Sequence, residues 1–241
     1  PVMVCMDGFV LTHATERVDI PEQAQVDAFL PPFVPQQLLD PDNPVSIGAM
    51  VGPEAFTEVR YLAHRRQLDA LETIPRVAAE FAAVFGRDSG GLVRPYRLDG
   101  AETVVIALGS VFGTLQDVVD LEREAGVPVG LLGITSFRPF PYDAVREALA
   151  GATRVVVLER ALALGVGGIV ASDVRAALAT AGVDVDQRTV IAGLGGRPIT
   201  VTSLREMVTK AVAGELEPLT FLDLDVAVVA RELARVDGSA R

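Results

Sequence analysis

From Thr103 onward, short apolar runs alternate with longer stretches of helical period, and that alternation leaves few folds open. Thr103 to Leu108 reads as a strand covered on both faces, closed by Gly109 and Ser110. Val111 to Ala125 reads as a helix, with Leu115, Val118 and Val119 facing inward and Glu122 to Glu124 turned to solvent. Val127 to Thr135 is a second predicted strand, Tyr142 to Ala150 a helix, Arg154 to Leu158 a third strand and Gly168 to Thr180 a helix. Arg188 to Ala192 is a fourth strand. In the helix at Leu204 to Ala213, Leu204, Met207, Val208, Ala211 and Val212 share one face. Ser203 and Glu206 have the spacing of a capping box at its start. Strands that alternate with helices imply an open parallel sheet with right-handed crossovers and helices on both faces. An α/β domain is therefore expected over residues 96–214, with a C-terminal helix over 215–241 centred on Phe221 to Val236.

The residues before that domain follow no such pattern. Val2 to Met6 is continuously apolar and suits a strand buried on both faces, and Cys5 within it suits a small buried hydrophobe. Such a strand needs neighbours, which are expected earlier in a longer chain or on a partner. A short helix is expected near Glu22 to Leu30. Five prolines between Pro31 and Pro44 then predict an extended, irregular segment, so that residues 1–50 form an arm. Residues 51–95 read as a helical connector. Pro53 suits a first turn, Phe56, Val59, Leu62 and Ala63 recur at helical spacing, Pro75 predicts a break or kink, and Gly86 a stop.

Composition narrows the function. Half of the 241 residues are apolar, which supplies a core, and the net charge of −11 repels nucleic acid. The single cysteine can form no internal disulfide and cannot hold an iron–sulfur cluster, so a cytoplasmic protein is the default expectation. No run of about 18 uncharged apolar residues suggests a membrane span.

The glycine-bearing loops are the places where chemistry could gather. Gly109 to Thr114 (GSVFGT) lies between the first strand of the α/β domain and its helix, where open parallel sheets collect anionic ligands. Equally, it is a tight turn with Ser110 as N-cap. It lacks the G-x-G-x-x-G spacing and the acidic residue of a dinucleotide site. Gly165 to Gly168 and Gly193 to Pro198 also end strand–loop units, so Gly109, Ser110, Gly195 and Gly196 are candidate rim residues. Arg138, displayed by the rigid loop Phe137 to Pro141 (FRPFP), is a further candidate, for a ligand carboxylate or phosphate or for a subunit salt bridge. Glu159 and Arg160 could pair across the rim. His64 reads as a surface residue, and His13 as a turn-tying residue or a proton carrier. No nucleophile elbow, phosphate-binding loop of the Walker type, acid pair or metal-ligand spacing is present, so no catalytic or metal-binding residue is assigned.

Taken in order, these segments resemble the alpha subunit of the 2-oxoacid:ferredoxin oxidoreductases. Pro1 to His13 is similar to that family's P-V-x-V-x-x-D-G-F-x-x-S-H segment, with Thr12 where Ser is usual. Phe29 to Phe33 (FLPPF), Phe85 to Arg87 (FGR), GSVFGT, FRPFP, Glu159-Arg160 (where Asp is common at the first position) and Gly193 to Gly196 follow in register. The resemblance implies the exit of a pyrimidine-binding domain over residues 1–50, then a transketolase C-terminal-like domain. It implies a complex that decarboxylates a 2-oxoacid oxidatively to an acyl-CoA, in which this chain is architectural and inactive alone. It further implies that thiamine diphosphate, magnesium and iron–sulfur clusters are held elsewhere in that complex, and that this chain alone binds no cofactor. The partners it implies are a beta subunit, an iron–sulfur subunit or domain, a pyrimidine-binding N-terminal half, ferredoxin, and coenzyme A, which the glycine rim could touch. A non-catalytic scaffold or binding module of the same fold is the alternative.

Overall fold

A computed structural model describes residues 2–35, 37–48, 50–180 and 185–239, with the side chains of Val10 and residues 237–239 not described. Pro1, Gln36 and Ala49 of the expected arm, and Ala240 and Arg241 of the expected C-terminal helix, lie outside the described residues. The chain divides into two compact units. One comprises the first eight residues with Val93–Thr135 and Tyr142–Arg241; the other comprises Phe9–Leu92 and Ser136–Pro141.

The first unit is a mixed α/β layer around one six-stranded sheet. In chain order its elements are β1 (Val93–Tyr96), β2 (Thr103–Ala107), α4 (Val111–Glu124), β3 (Val129–Ile134), α5 (Tyr142–Ala148), β4 (Arg154–Glu159), α6 (Ile169–Ala179), β5 (Asp186–Ile191), α7 (Val201–Val212), β6 (Leu219–Phe221) and α8 (Val226–Ser239). A short 3-10 turn, Leu194–Gly196, follows β5. Helices α1 to α3 belong to the other unit and are given below. The strand order is β1-β3-β2-β4-β5-β6, parallel except for β1, which runs antiparallel to β3.

The four predicted strands form because their apolar runs can be buried on both faces. Val105, Leu131, Val156 and Val190 face α4 and α7, where Leu115, Val118, Val119, Leu204, Met207 and Val208 complete a core. Alternation turns Val104, Ile106, Val155 and Val157 to the opposite face, and these too are buried. Helices α5 and α6 contact each other, and buried Val145, Leu149, Val170 and Val174 come from them.

Three details of the sequence-based expectation change. Strands β1 and β6 were not expected; they are short edge strands, and β6 takes the start of the segment read as a C-terminal helix, which begins only at Val226. Helix α7 starts before the Ser203–Glu206 pair: Thr200 is its N-cap, and its hydroxyl accepts the Ser203 N–H at 3.1 Å. Glu122, expected at the surface, is only 6% exposed, because Arg205 of α7 reaches it at 2.7 Å.

The second unit is built differently. Its elements are α1 (Val10–His13), α2 (Gln23–Phe29) and α3 (Phe56–Phe85). Glu22 and Gln25 form a capping box at the start of α2. Of the break or kink expected at Pro75, the break does not occur: α3 continues through it. Its flanks are rich in Ala, Leu, Arg, Glu and Gln, whose propensity offsets the ~3 kcal/mol that an internal proline costs. Gly86 ends it in the left-handed conformation, as expected, with φ +65°. Phe29 packs edge-on against Phe81 and Phe85, at ring-centroid distances of 5.8 and 5.4 Å. Arg87 binds both the backbone carbonyl and the carboxylate of Asp19. No residue of α2 or α3 is buried, and the apolar residues Phe56, Val59 and Leu62, expected to form a packing face, are exposed.

Candidate rim at the carboxyl ends of the strands

The chain passes from β2 to β3 on one side, then crosses back over β2 to β4 on the other. That reversal makes the β2–β4 boundary a topological switch point, and the crevice beyond the strand ends there is where open α/β sheets bind ligands. Gly109 and Ser110 follow β2, Glu159 ends β4 and Arg160 follows it, and Gly193 to Gly196 follow β5. Four of the five rim candidates, Gly109, Ser110, Gly195 and Gly196, therefore share this end of the sheet. The fifth, Arg138, belongs to the other unit. Its guanidinium lies 4.0 Å from the centre of the Phe137 ring and donates to the Phe137 carbonyl, and the Arg138–Pro139 peptide is cis.

Sequence reasoning missed Asp7. Its carboxylate accepts the Ser110 backbone N–H at 2.9 Å and pairs with Arg160 at 3.5 Å. Hydrogen bonds from the Ser110 side chain and backbone hold the Asp7 carboxyl below its usual range, with burial opposing and the Arg160 charge assisting. Ser110 stands at the N-cap of α4 as expected, but its side chain makes no cap bond. The acceptor comes instead from Asp7, and no local motif reports it.

Glu159 and Arg160 do not pair with one another, as the sequence had suggested. Neighbouring residues on a strand end point to different sides, and each finds its own partner. Arg160 meets Asp7, while Glu159, 3% exposed, accepts the N–H groups of Ile169, Val170 and Ala171 at 2.9 to 3.0 Å. It thus supplies the charge that the positive end of α6 attracts. Gly168 is required there, since a Cβ would come within 2.0 Å of Glu159 Oε1. Glu159 is fully engaged in this cap.

A cavity of about 230 Å³ lies at the ends of β2 and β3, lined by Arg94, Leu108, Gly109, Phe112, Gly133 and Thr135 among others. Arg94 stacks over the Phe112 ring at 5.0 Å. Gly195 and Gly196 are exposed, with φ +64° and +83°, and open space surrounds the position a Cβ would take on either.

The remaining candidates take structural places. His13 Nδ1 lies 2.8 Å from the Phe9 carbonyl and 3.2 Å from the Thr12 hydroxyl, so it ties its own turn. His64 is exposed on α3, as expected. Cys5, expected to be buried, is exposed, and Val2 to Met6 forms no strand with any described residue. Among the described residues nothing pairs with its backbone, and Val2, Met3, Val4 and Met6 are exposed. Among the described residues no group of three or more His, Cys, Asp or Glu side chains could hold a metal ion, and no helix is long and apolar enough to cross a membrane.

At the switch point the N–H of Ser110, the N-cap of α4, is already taken by the Asp7 carboxylate, and a second anion beside it would meet like charge. What this arrangement can do chemically is hold a backbone segment by its acid side chain.

Residues 101–204 match the family described as "Pyruvate:ferredoxin oxidoreductase core domain II", and residues 1–79 match "Pyruvate flavodoxin/ferredoxin oxidoreductase, thiamine diP-bdg". "Pyruvate synthase subunit PorA" of Methanothermobacter thermautotrophicus is 42% identical over 210 residues, covering 87% of this chain and 54% of that protein. The PorA of Methanosarcina barkeri is 43% identical over 88% of this chain and 54% of its own length. "Ketoisovalerate oxidoreductase subunit VorA" of Pyrococcus abyssi is 34% identical over 90% of this chain and 54% of that protein. The chain thus spans about half the length of the curated relatives it matches.

Proposed function

This chain belongs to the 2-oxoacid:ferredoxin oxidoreductase family, as a chain of the alpha-subunit type, and we propose that it serves as an architectural part of an enzyme that oxidatively decarboxylates pyruvate. In that reaction a 2-oxoacid and coenzyme A give an acyl-CoA and carbon dioxide, and the electrons leave to ferredoxin. The observation that carries the reading is the 42–43% identity to two pyruvate synthase subunits across nearly nine-tenths of the chain. Pyruvate is preferred over a branched 2-oxoacid because the ketoisovalerate relative is less similar, at 34%.

The role assigned to this chain within the complex is to brace and to make contacts. Its α/β layer directs its ionisable groups into caps and ion pairs. Thiamine diphosphate, magnesium and iron–sulfur clusters are assigned to other parts of the complex, with the beta and iron–sulfur subunits as partners and the cytoplasm as its place. The exposed apolar residues of the arm and of α3 are the surface those partners would cover.

The test is reconstitution. The full alpha chain is co-expressed with its neighbouring beta and iron–sulfur subunit genes and purified by a tag on alpha. Pyruvate- and coenzyme A-dependent reduction of ferredoxin is then followed, with 2-oxoisovalerate as competitor. Co-purification with pyruvate-dependent reduction supports the reading. A complex that prefers 2-oxoisovalerate would overturn the substrate, and failure of the subunits to associate would overturn the function.

A further inference from the structure

We infer that the switch-point crevice of this chain is a socket for its own Asp7 carboxylate, so that Asp7 is a positioning residue that latches the segment Val2–Gly8 to the α/β layer. The inference rests on the geometry of the crevice and holds whichever 2-oxoacid the complex uses.

Two parts of the sheet end converge on this carboxylate. Ser110, the residue that opens α4 after β2, donates its backbone N–H at 2.9 Å. Arg160, which follows β4, offers a guanidinium nitrogen at 3.5 Å. These belong to the two strands between which the sheet reverses its winding, the place where a fold of this order otherwise receives an anionic ligand. A half-buried carboxylate given a charge-assisted bond from a helix start and a cation is held in the manner of such a ligand.

Two rim glycines make room for the latch. Gly109 has φ +79°, and a Cβ on it would stand 3.3 Å from Asp7 Oδ2. A Cβ on Gly193, φ +70°, would stand 2.9 Å from Arg160 Nε. The glycines after β2 and β5 are thus explained by the close approach of Asp7 and of its arginine. The neighbouring run shows how much depends on this one side chain. Val2, Met3 and Val4 are 87–91% exposed, so they contribute no burial that could hold the segment in place.

The latch is tested by hydrogen exchange on the full chain, read at the Ser110 amide with the amides of β2, β4 and β5 as internal controls. In Asp7→Ala the Ser110 amide should exchange roughly ten-fold faster or more, since a bond to a charged acceptor is lost. The amides of β2, β4 and β5 should keep their protection. Asp7→Asn, of nearly the same volume, guards against a misfolded alanine variant and should give an intermediate rate. Arg160→Gln should speed exchange at Ser110 less than Asp7→Ala does. Added sodium acetate should slow the Ser110 amide in Asp7→Ala, relative to sodium chloride at equal ionic strength, and leave the wild-type amide unchanged. If the Ser110 amide exchanges at the wild-type rate in both Asp7 variants, the latch does not exist. If acetate has no effect on Asp7→Ala, the crevice is no carboxylate socket. Neither result bears on the assembly or substrate of the complex, which reconstitution tests separately.

Discussion

The two units spend their apolar residues in opposite ways. In the α/β layer, β2 to β4 are buried along nearly their whole length, and Leu115, Val118, Leu204 and Val208 show no surface at all. In the other unit, Phe33, Val34, Ile20, Leu39 and Tyr61 are exposed, and the 30-residue helix α3 buries none of its side chains. Leu, Val and Phe taken together make up a similar share of both units. The difference lies in what each can reach. The layer closes on itself, because a parallel sheet with helices on both faces satisfies every strand but the edges. Among the described residues, the arm and α3 are joined by the Phe29–Phe81–Phe85 cluster, the Arg87–Asp19 pair and a hydrogen bond from Gln25 to the Val84 carbonyl. Among the described residues these apolar side chains therefore stay exposed, which is the surface that the proposed partners would cover.

This contrast fixes where stability should reside. The largest effect is expected in the core facing α4 and α7. Leu204→Ala should lower unfolding stability by about 2–5 kcal/mol, measured by urea denaturation followed by circular dichroism. A loss under 1 kcal/mol there would mean that the layer is not the stable half.

Next in size is the cap on α6. Glu159→Ala leaves three N–H groups without their acceptor and should cost roughly 2–3 kcal/mol. Gly168→Ala drives a Cβ into the same carboxylate and should cost about 1–3 kcal/mol. Because both act on one contact, the double variant should lose less than the sum of the two. Strict additivity would show that Gly168 and Glu159 are not coupled.

Much of this layer was legible in the sequence, and the part that was not has a physical reason. Strands β2 to β4 announced themselves because double-sided burial writes a nearly unbroken apolar run, whereas β5 (DQRTVI) was legible only through its apolar end. Strands β1 (VRPY) and β6 (LTF) did not, since an edge strand is short and tolerates Arg94, Pro95 and Thr220. The glycines of the rim were legible as well. What fills the space beside them was not, because Asp7 lies 103 residues from Ser110 and 153 from Arg160. The same distance effect misplaced Glu122. A carboxylate is read as exposed until the arginine that buries it is known, and Arg205 stands 83 residues on. In the helical connector the periodicity of Phe56, Val59 and Leu62 did identify a helix, but periodicity cannot say whether the partner of an apolar face lies in the same chain.

That buried pair ranks third. Arg205 is itself 49% exposed, so its charge is well solvated, and Arg205→Ala should cost about 1 kcal/mol rather than the several expected of a fully buried pair. A smaller and pH-dependent effect is expected at the opposite end of the sheet. Burial opposes the charged form of Asp186, yet hydrogen bonds from Arg188 and Arg154 outweigh it and hold this carboxyl below its usual value. A depressed folded value means that the stabilisation is complete above the unfolded value of about 3.9 and is lost as pH falls through the folded one. Asp186→Asn should therefore flatten the loss of stability below about pH 4 and leave the slope between about pH 6 and 8 unchanged. An unaltered acid limb would show that these arginines do not favour the charged form.

The smallest effect is expected where the apolar residues are most exposed. Phe33→Ala and Val34→Ala remove large side chains that are 89% and 81% exposed, and each should change the stability of this chain by no more than about 0.5 kcal/mol. In a core position the same truncation of phenylalanine would cost about 3–5 kcal/mol. The two sites therefore differ through burial alone. Repeating the measurement on the assembled complex sharpens the point. If partners cover the arm, Phe33→Ala should leave the unfolding of the isolated chain unmoved and yet lower the concentration-dependent stability of the complex, because only the bound state buries that ring. A ring that matters equally in both settings already has its partner within this chain, and the division between a self-sufficient layer and a dependent arm would then fall.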